Sequence, residues 1–252
     1  MDRAYWEAVA ADYEGSVLSV FDHDVDGAVQ ERIERAADPA GAAADLGCGV
    51  GKFTPLLARC FGRVLACDLT AAGVAATRER CREFAHVDVR RHDLARGEPA
   101  GAPVDFVLCV NVLIMPALDA RRRAWRSVTN VVQHGGSLVL VVPSAECAQF
   151  TQFRELERCL DEGWTCAQSV ARSSQPGATA RDLSQGIHRL RGLRTKHYLR
   201  DELAWLLTGH EMDVREITRL RYAADAGGGA EEGQDAAPVA AAWDWLVVAQ
   251  RR

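Results

Sequence analysis

The chain is nearly devoid of lysine: Lys52 and Lys196 are the only two among 252 residues, and arginine carries nearly all the positive charge. Together with abundant alanine, this fits a GC-rich bacterial coding sequence and not a functional adaptation. No apolar run approaches the roughly 20 residues that a bilayer-spanning helix needs. The N-terminal Met1-Asp2-Arg3-Ala4-Tyr5-Trp6 is polar and amphipathic, unlike a secretory leader. No Cys-x-x-Cys occurs and no His-x-x-x-His set follows, which excludes the usual zinc spacings and leaves no metal expected. A net charge of −5 and a pI near 5.8 argue against a nucleic-acid backbone as main partner. The eight cysteines, Cys48, Cys60, Cys67, Cys81, Cys109, Cys147, Cys159 and Cys166, fall mostly in expected strands or on helix faces. There free cysteine packs as a small hydrophobe, so reduced thiols and a cytoplasmic setting are expected.

What is present is an ordinary globular balance, 48% apolar and 26% charged, in a chain long enough for one large α/β domain. Its organising stretch is Asp45-Leu46-Gly47-Cys48-Gly49-Val50-Gly51. A small-residue strand, Ala42 to Ala44, precedes it, and a helix from Lys52 to Cys60 follows. Strand, glycine turn and helix form the layout of a nucleotide-type site at the carboxyl edge of a parallel sheet. Glycines open backbone angles closed to other residues and let a ligand touch the main chain. A phosphate loop is excluded, because Phe53 follows Gly51-Lys52 where a serine or threonine is required, and Leu46 stands where the first glycine should be. The dinucleotide fingerprint also fails, since the third glycine comes one residue early. Asp45, placed before the first glycine, can orient the turn and meet a cationic amino acid moiety.

The pattern Asp-x-Gly-x-Gly-x-Gly at Asp45, Gly47, Gly49 and Gly51 resembles the first motif of class I S-adenosylmethionine-dependent methyltransferases, and Cys48 lies within it. A second strand, Arg63 to Cys67, ends at Asp68, which can accept from ribose hydroxyls by the logic of dinucleotide folds. Leu69 would flank the adenine. After the strand Val87 to Arg91, the resemblance gives Asp93 a contact to the adenine amino group and the Leu94 amide one to a ring nitrogen; the alternative for Asp93 is an Asx turn. The strand Val104 to Val110 leads to Asn111, which the resemblance places beside the methionine part of the cofactor. Trp6 to Tyr13 looks like the N-terminal segment that closes over the cofactor in this family, with Tyr13 in contact.

The remaining chain is expected to complete the family's fold: a Rossmann-like, doubly wound, seven-stranded mostly parallel sheet with an antiparallel last strand. Residues 1–38 read as an N-terminal helical cap and 39–252 as the domain, with a lid-like insertion at about 144–195. Arg121-Arg122-Arg123 reads as a solvated face. The cation-dense Ile187 to Tyr198 stretch can hold an anionic acceptor; the alternative is an exposed edge strand guarded by charge. His197 is the candidate general base and Tyr198 the residue that orients the acceptor. Ala223 to Pro238, rich in glycine and acid, reads as a hairpin loop between the last two strands. The implied activity is methyl transfer from S-adenosylmethionine to a small-molecule acceptor, leaving S-adenosylhomocysteine. An RNA or protein methyltransferase, a non-catalytic S-adenosylmethionine-binding protein and an NAD-dependent oxidoreductase are the alternatives. Acceptor identity and oligomeric state are open at this level.

Overall fold

The computed structural model of the chain describes residues 5–7, 19–174, 179–190, 193–223 and 242–252. Tyr13 and the expected loop beyond Ala223 lie outside the described residues. Residues 5–7 are helical, and from residue 19 onward the chain forms helices α1 (Val20–His23) and α2 (Ala28–Arg35). The core alternates β1 (Asp38–Leu46), α3 (Thr54–Cys60), β2 (Phe61–Asp68), α4 (Ala71–Arg80), β3 (Val87–Arg91), β4 (Val104–Val110), α5 (Leu118–Val131) and β5 (Val132–Pro143). Then come α6 (Ala145–Asp161), α7 (Cys166–Ser173), α8 (Ala180–Ser184) and the hairpin β6 (Ile187–Leu190) and β7 (Leu193–Lys196). Helix α9 (Arg200–Gly209) and strands β8 (Met212–Arg221) and β9 (Trp243–Arg251) close the chain.

The seven-stranded sheet has the order β3-β2-β1-β4-β5-β9-β8. Strands β1 to β5 run parallel, β9 runs antiparallel beside β5, and β8 antiparallel beside β9. The order reverses between β1 and β4, and such a switch point opens a crevice outside the carboxyl ends of the strands. Strand β4 is the most continuously apolar because both faces of a parallel sheet are covered. On one face Val107 and Cys109 pack with Trp125, Val128, Leu203 and Leu207 of α5 and α9. On the other, Phe106 and Leu108 pack with Val29, Ile33 and Leu57 of α2 and α3. Val29 and Ile33 of α2 are therefore part of the core. All eight cysteines carry free thiols, and six are buried. Among the described residues no helix is long and apolar enough to cross a membrane.

The run Arg121-Arg122-Arg123 departs from expectation. Arg121 is 5% exposed. Its Nη1 donates to the carbonyls of Met115 at 2.7 Å and Pro116 at 3.2 Å, which the turn before α5 leaves without backbone partners. Arg123 donates from Nε to the Ala95 carbonyl. Two of the three arginines thus serve as internal donors, because the helical period turns them toward backbone carbonyls.

Leu108 is fully buried in the middle of the sheet. Leu108→Ala should lower unfolding free energy by about 2–5 kcal/mol through lost burial and the cavity left behind, as read by chemical denaturation.

Candidate functional site at the carboxyl edge

The glycine stretch forms the bend that its sequence requires. Gly47, Gly49 and Gly51 have φ of 80°, 55° and 77°, a region that strains any side-chain-bearing residue. A Cβ on Gly47 would collide with Val112, and one on Gly51 with Thr77. The amides of Gly47 and Cys48 both donate to the Cys67 carbonyl, at 2.8 and 2.9 Å, so the bend is pinned to the end of β2. Burial pushes the Cys67 thiol up to about 12, so it packs as a neutral group. Cys48 also sits at the bend, half-buried, with Sγ 3.5 Å from Thr77 Oγ1.

Asp68 adds a second tie. Its Oδ2 accepts from the Gly49 amide at 3.0 Å, and its Oδ1 accepts from the amide and hydroxyl of Thr70 at 2.9 and 2.7 Å. A carboxylate has about four acceptor positions, so these three bonds leave one for a further donor. Thr70 also caps α4 by accepting from the Gly73 amide. Leu69 is half-buried in the same turn. Next to it Glu7 accepts from the amides of Ala71 and Ala72, which lays the N-terminal residues 5–7 across the start of α4.

Asp45 is 4% exposed and sits beneath the bend, where it accepts from Thr54 Oγ1 at 2.7 Å. Burial pushes its carboxyl up to about 7; the Thr54 hydrogen bond opposes this and the charge of Asp68 adds to it. Asp93 forms an Asx turn, its Oδ1 accepting from the Ala95 amide at 2.9 Å, and Leu94 packs into the core. The His92 amide donates to the Asp68 carbonyl, which brings this third strand end to the second. Asn111 follows β4 with a φ of 54°, rare for a residue with a side chain. Its Nδ2 donates to Asp244 at 3.3 Å, while its buried Oδ1 has no partner among the described residues. The bend, Asp45, Asp68 and Asn111 thus gather around the switch point, with Asp93 one strand further out.

The two candidate catalytic side chains lie elsewhere. Tyr198 is fully buried, its hydroxyl donating to the Leu113 carbonyl at 2.6 Å and accepting from Trp125 Nε1 at 3.2 Å. Burial raises its pKa, and no polar atom is left to orient an acceptor. His197 is also buried; Nδ1 lies 3.4 Å from the Ser144 carbonyl and Nε2 3.0 Å from Thr195 Oγ1. A carbonyl only accepts, so the proton belongs on Nδ1, and the Thr195 hydroxyl then fills the Nε2 lone pair. The general-base assignment fails because both ring nitrogens are engaged. Backbone bonds pull this segment inward: Lys196 N to Ile114 O, His197 N to Gly186 O and Tyr198 N to Pro143 O. The hairpin cations are engaged as well. Lys196 donates to Glu202 and to the Gln185 carbonyl, and Arg194 pairs with Asp182.

Sequence reading missed His188, buried with its ring 4.9 Å from that of His197, and Asp244 and Tyr222 beneath Asn111. No motif marks them; the alternation of the hairpin was the only signal for His188.

A parallel α/β sheet whose order reverses above a glycine bend, with a carboxylate at the end of the second strand, defines a class of adenosyl-cofactor proteins. Residues 43–136 match the family model described as methyltransferase domain. Curated proteins give no sequence match. Among solved structures, N-methyltransferase NodS from Bradyrhizobium japonicum WM9 aligns with TM-score 0.57 at 13% identity, over 90% of this chain and 85% of that one. Magnesium protoporphyrin IX methyltransferase from Synechocystis PCC 6803 aligns with TM-score 0.56 at 14% identity, over 91% and 86%. DhpI aligns with TM-score 0.59 at 20% identity, over 99% and 95%. Residues 43–136, which hold the glycine bend, Asp68, Asp93 and Asn111, thus match a methyltransferase domain, and the chain shares its fold with the solved NodS and protoporphyrin methyltransferases.

Two measurements check the reassigned residues. Tyr198→Phe strands the Leu113 carbonyl and should lower stability by about 1–3 kcal/mol in urea unfolding. Burial, with a smaller effect from His188, pulls the His197 pKa down to about 4. The folded protein therefore resists a proton that the unfolded chain takes up below pH about 6.5. Stability should be complete above that value and fall toward pH 4, and His197→Gln should flatten the fall in a pH series of thermal melts.

Proposed function

We propose that this methyltransferase acts on a small-molecule acceptor, with the cofactor held by the glycine bend, Asp68, Leu69, Asp93 and Asn111. When bound, S-adenosylmethionine supplies a methyl group already activated by its sulfonium. The chain's own residues then have to bind, align and exclude water. The observation that carries this reading is the Asp68 carboxylate, held 3.0 Å from the Gly49 amide with one acceptor position left. That position suits a ribose hydroxyl. The unpartnered Asn111 Oδ1 suits a polar N–H donor such as the amino group of the methionine moiety. Asp45 supports the bend from below through Thr54.

The insertion over residues 144–195 supports a small acceptor, because α6 to α8 and the β6–β7 hairpin rise from the end of β5 at the same sheet edge. Residues 1–38 supply a cap in this reading, and Glu7 on the α4 amides supports it. The basic hairpin gives no support to an anionic acceptor: Arg194 and Lys196 face Asp182 and Glu202, and Arg121 faces carbonyls. NodS and the protoporphyrin enzyme, which share the fold, are described as an N-methyltransferase and a magnesium protoporphyrin IX methyltransferase.

Titration calorimetry with S-adenosylhomocysteine tests the assignment. The wild-type protein should bind, and Asp68→Ala should weaken binding by roughly 10- to 100-fold, the cost of losing a hydrogen bond to a charged group. Equal affinity in the two proteins would remove Asp68 from the site, and no affinity in either would remove the cofactor assignment.

A further inference from the structure

Strand β9 runs against β5, so its first residues return to the carboxyl edge where the glycine bend and Asn111 lie. Asp244 stands there, in register with Pro143 at the end of β5. One oxygen, Oδ2, accepts from the Tyr222 hydroxyl at 2.6 Å and from Asn111 Nδ2 at 3.3 Å. Its other oxygen, Oδ1, has no hydrogen-bond partner among the described residues. Asp244 and Asn111 are partly buried, while Trp243 and Trp245 on either side of Asp244 are buried. A carboxyl fixed by one oxygen and unpartnered at the other, at the carboxyl edge of the sheet, is built to receive a donor.

Burial raises the carboxyl's pKa, and the bonds from Tyr222 and Asn111 hold it back toward the ionised form. The other titratable groups around it are Asp24, whose backbone bridges to Tyr222, Cys147, whose Sγ accepts from the Trp243 amide, and Arg219, whose guanidinium stacks on the Trp243 ring at 4.4 Å. No cation pairs with Asp244 among the described residues, so a carboxylate or phosphate acceptor would meet an uncompensated negative charge.

We propose that Asp244 is the acceptor-binding group of this methyltransferase and that the acceptor is a primary or secondary amine. This rests on the reading of the preceding subsection and adds the acceptor class to it. The amine donates one N–H to Asp244 Oδ1, which turns its lone pair away from the carboxylate. That lone pair forms the N–C bond as the C–S bond breaks with its electrons staying on sulfur. Positive charge moves from sulfur to nitrogen, nearer the carboxylate. The surplus proton on the methylated nitrogen then passes to Asp244 and on to solvent. Tyr222 and Asn111 are positioning residues that hold the carboxyl and lower the cost of its ionisation.

The test uses the full-length protein loaded with S-adenosylhomocysteine and three matched probes: benzylamine, benzyl alcohol and benzoate, titrated by calorimetry from pH 5.5 to 8. Benzylamine should bind at least ten times more tightly than the other two, with affinity rising as pH rises and the carboxyl ionises. Asp244→Asn should abolish that preference while S-adenosylhomocysteine affinity stays within threefold of wild type. Tyr222→Phe should keep the preference and move the pH midpoint upward, because the carboxylate loses a donor; a merely structural role would leave the midpoint in place. A wild-type protein that binds S-adenosylhomocysteine yet shows no preference for the amine, including one that binds none of the probes, would overturn the proposal and leave the cofactor assignment intact. An Asp244→Asn protein that keeps the preference would overturn it too. So would one that melts as the wild type does but loses S-adenosylhomocysteine, since Asp244 would then serve the cofactor. Loss of S-adenosylhomocysteine binding in the wild type would instead remove the reading on which the proposal rests.

Discussion

Two oxygen acceptors at the end of β2 hold the site together. The Cys67 carbonyl takes the amides of Gly47 and Cys48, and the Asp68 carboxylate takes the amide of Gly49. A backbone bend with three left-handed residues exposes amides that β1 and α3 do not satisfy. The neighbouring strand satisfies them, so the shape of the bend depends on the β1–β2 register, Leu46 opposite Cys67. Everything else at the edge is arranged around that junction: Asp45 and Thr54 below it, Thr70 and the start of α4 beside it, and Asn111 across the switch point.

The same edge separates two kinds of polar group. Toward the hairpin, His197, Tyr198, Lys196 and Arg121 form a closed network with backbone carbonyls, Thr195 and Glu202. It anchors the segment between β5 and α9 to the ends of β4 and β5. Toward β9, Asp244 is half-satisfied and Asn111 retains an unpartnered oxygen. Buried polar groups are normally paired, so an incomplete set at a crevice floor is where a ligand adds most. The charge left there is negative, opposite to what the arginine-rich hairpin suggests when read alone.

Much of the fold was legible in the chain. The strand, glycine bend and helix at residues 42–60 follow from local rules of backbone freedom, and the apolar runs at 104–110 and 137–142 mark buried parallel strands. Asp68 was legible because it ends a strand at a fixed distance from the bend. Asp93 was legible as far as its turn. Arg121 was not: a run of three arginines looks solvated until α5 is placed against the Met115 and Pro116 carbonyls. His197 and Tyr198 read as a base and an acceptor-orienting residue, because the bonds that bury this segment, to Ile114 and Pro143, span more than fifty residues.

The amino-acid sequence by itself determined the class of site. Glycine spacing and strand-end carboxylates act through neighbouring residues, and neighbours are fixed by covalent order. Tertiary structure alone decided which polar side chains are engaged and which stay open. Asn111, Tyr222 and Asp244 come from three strands and meet only because β9 returns antiparallel to the edge where β4 ends. Hydrogen-bond partners this far apart in the chain leave no periodic trace, so their meeting is a property of the folded sheet.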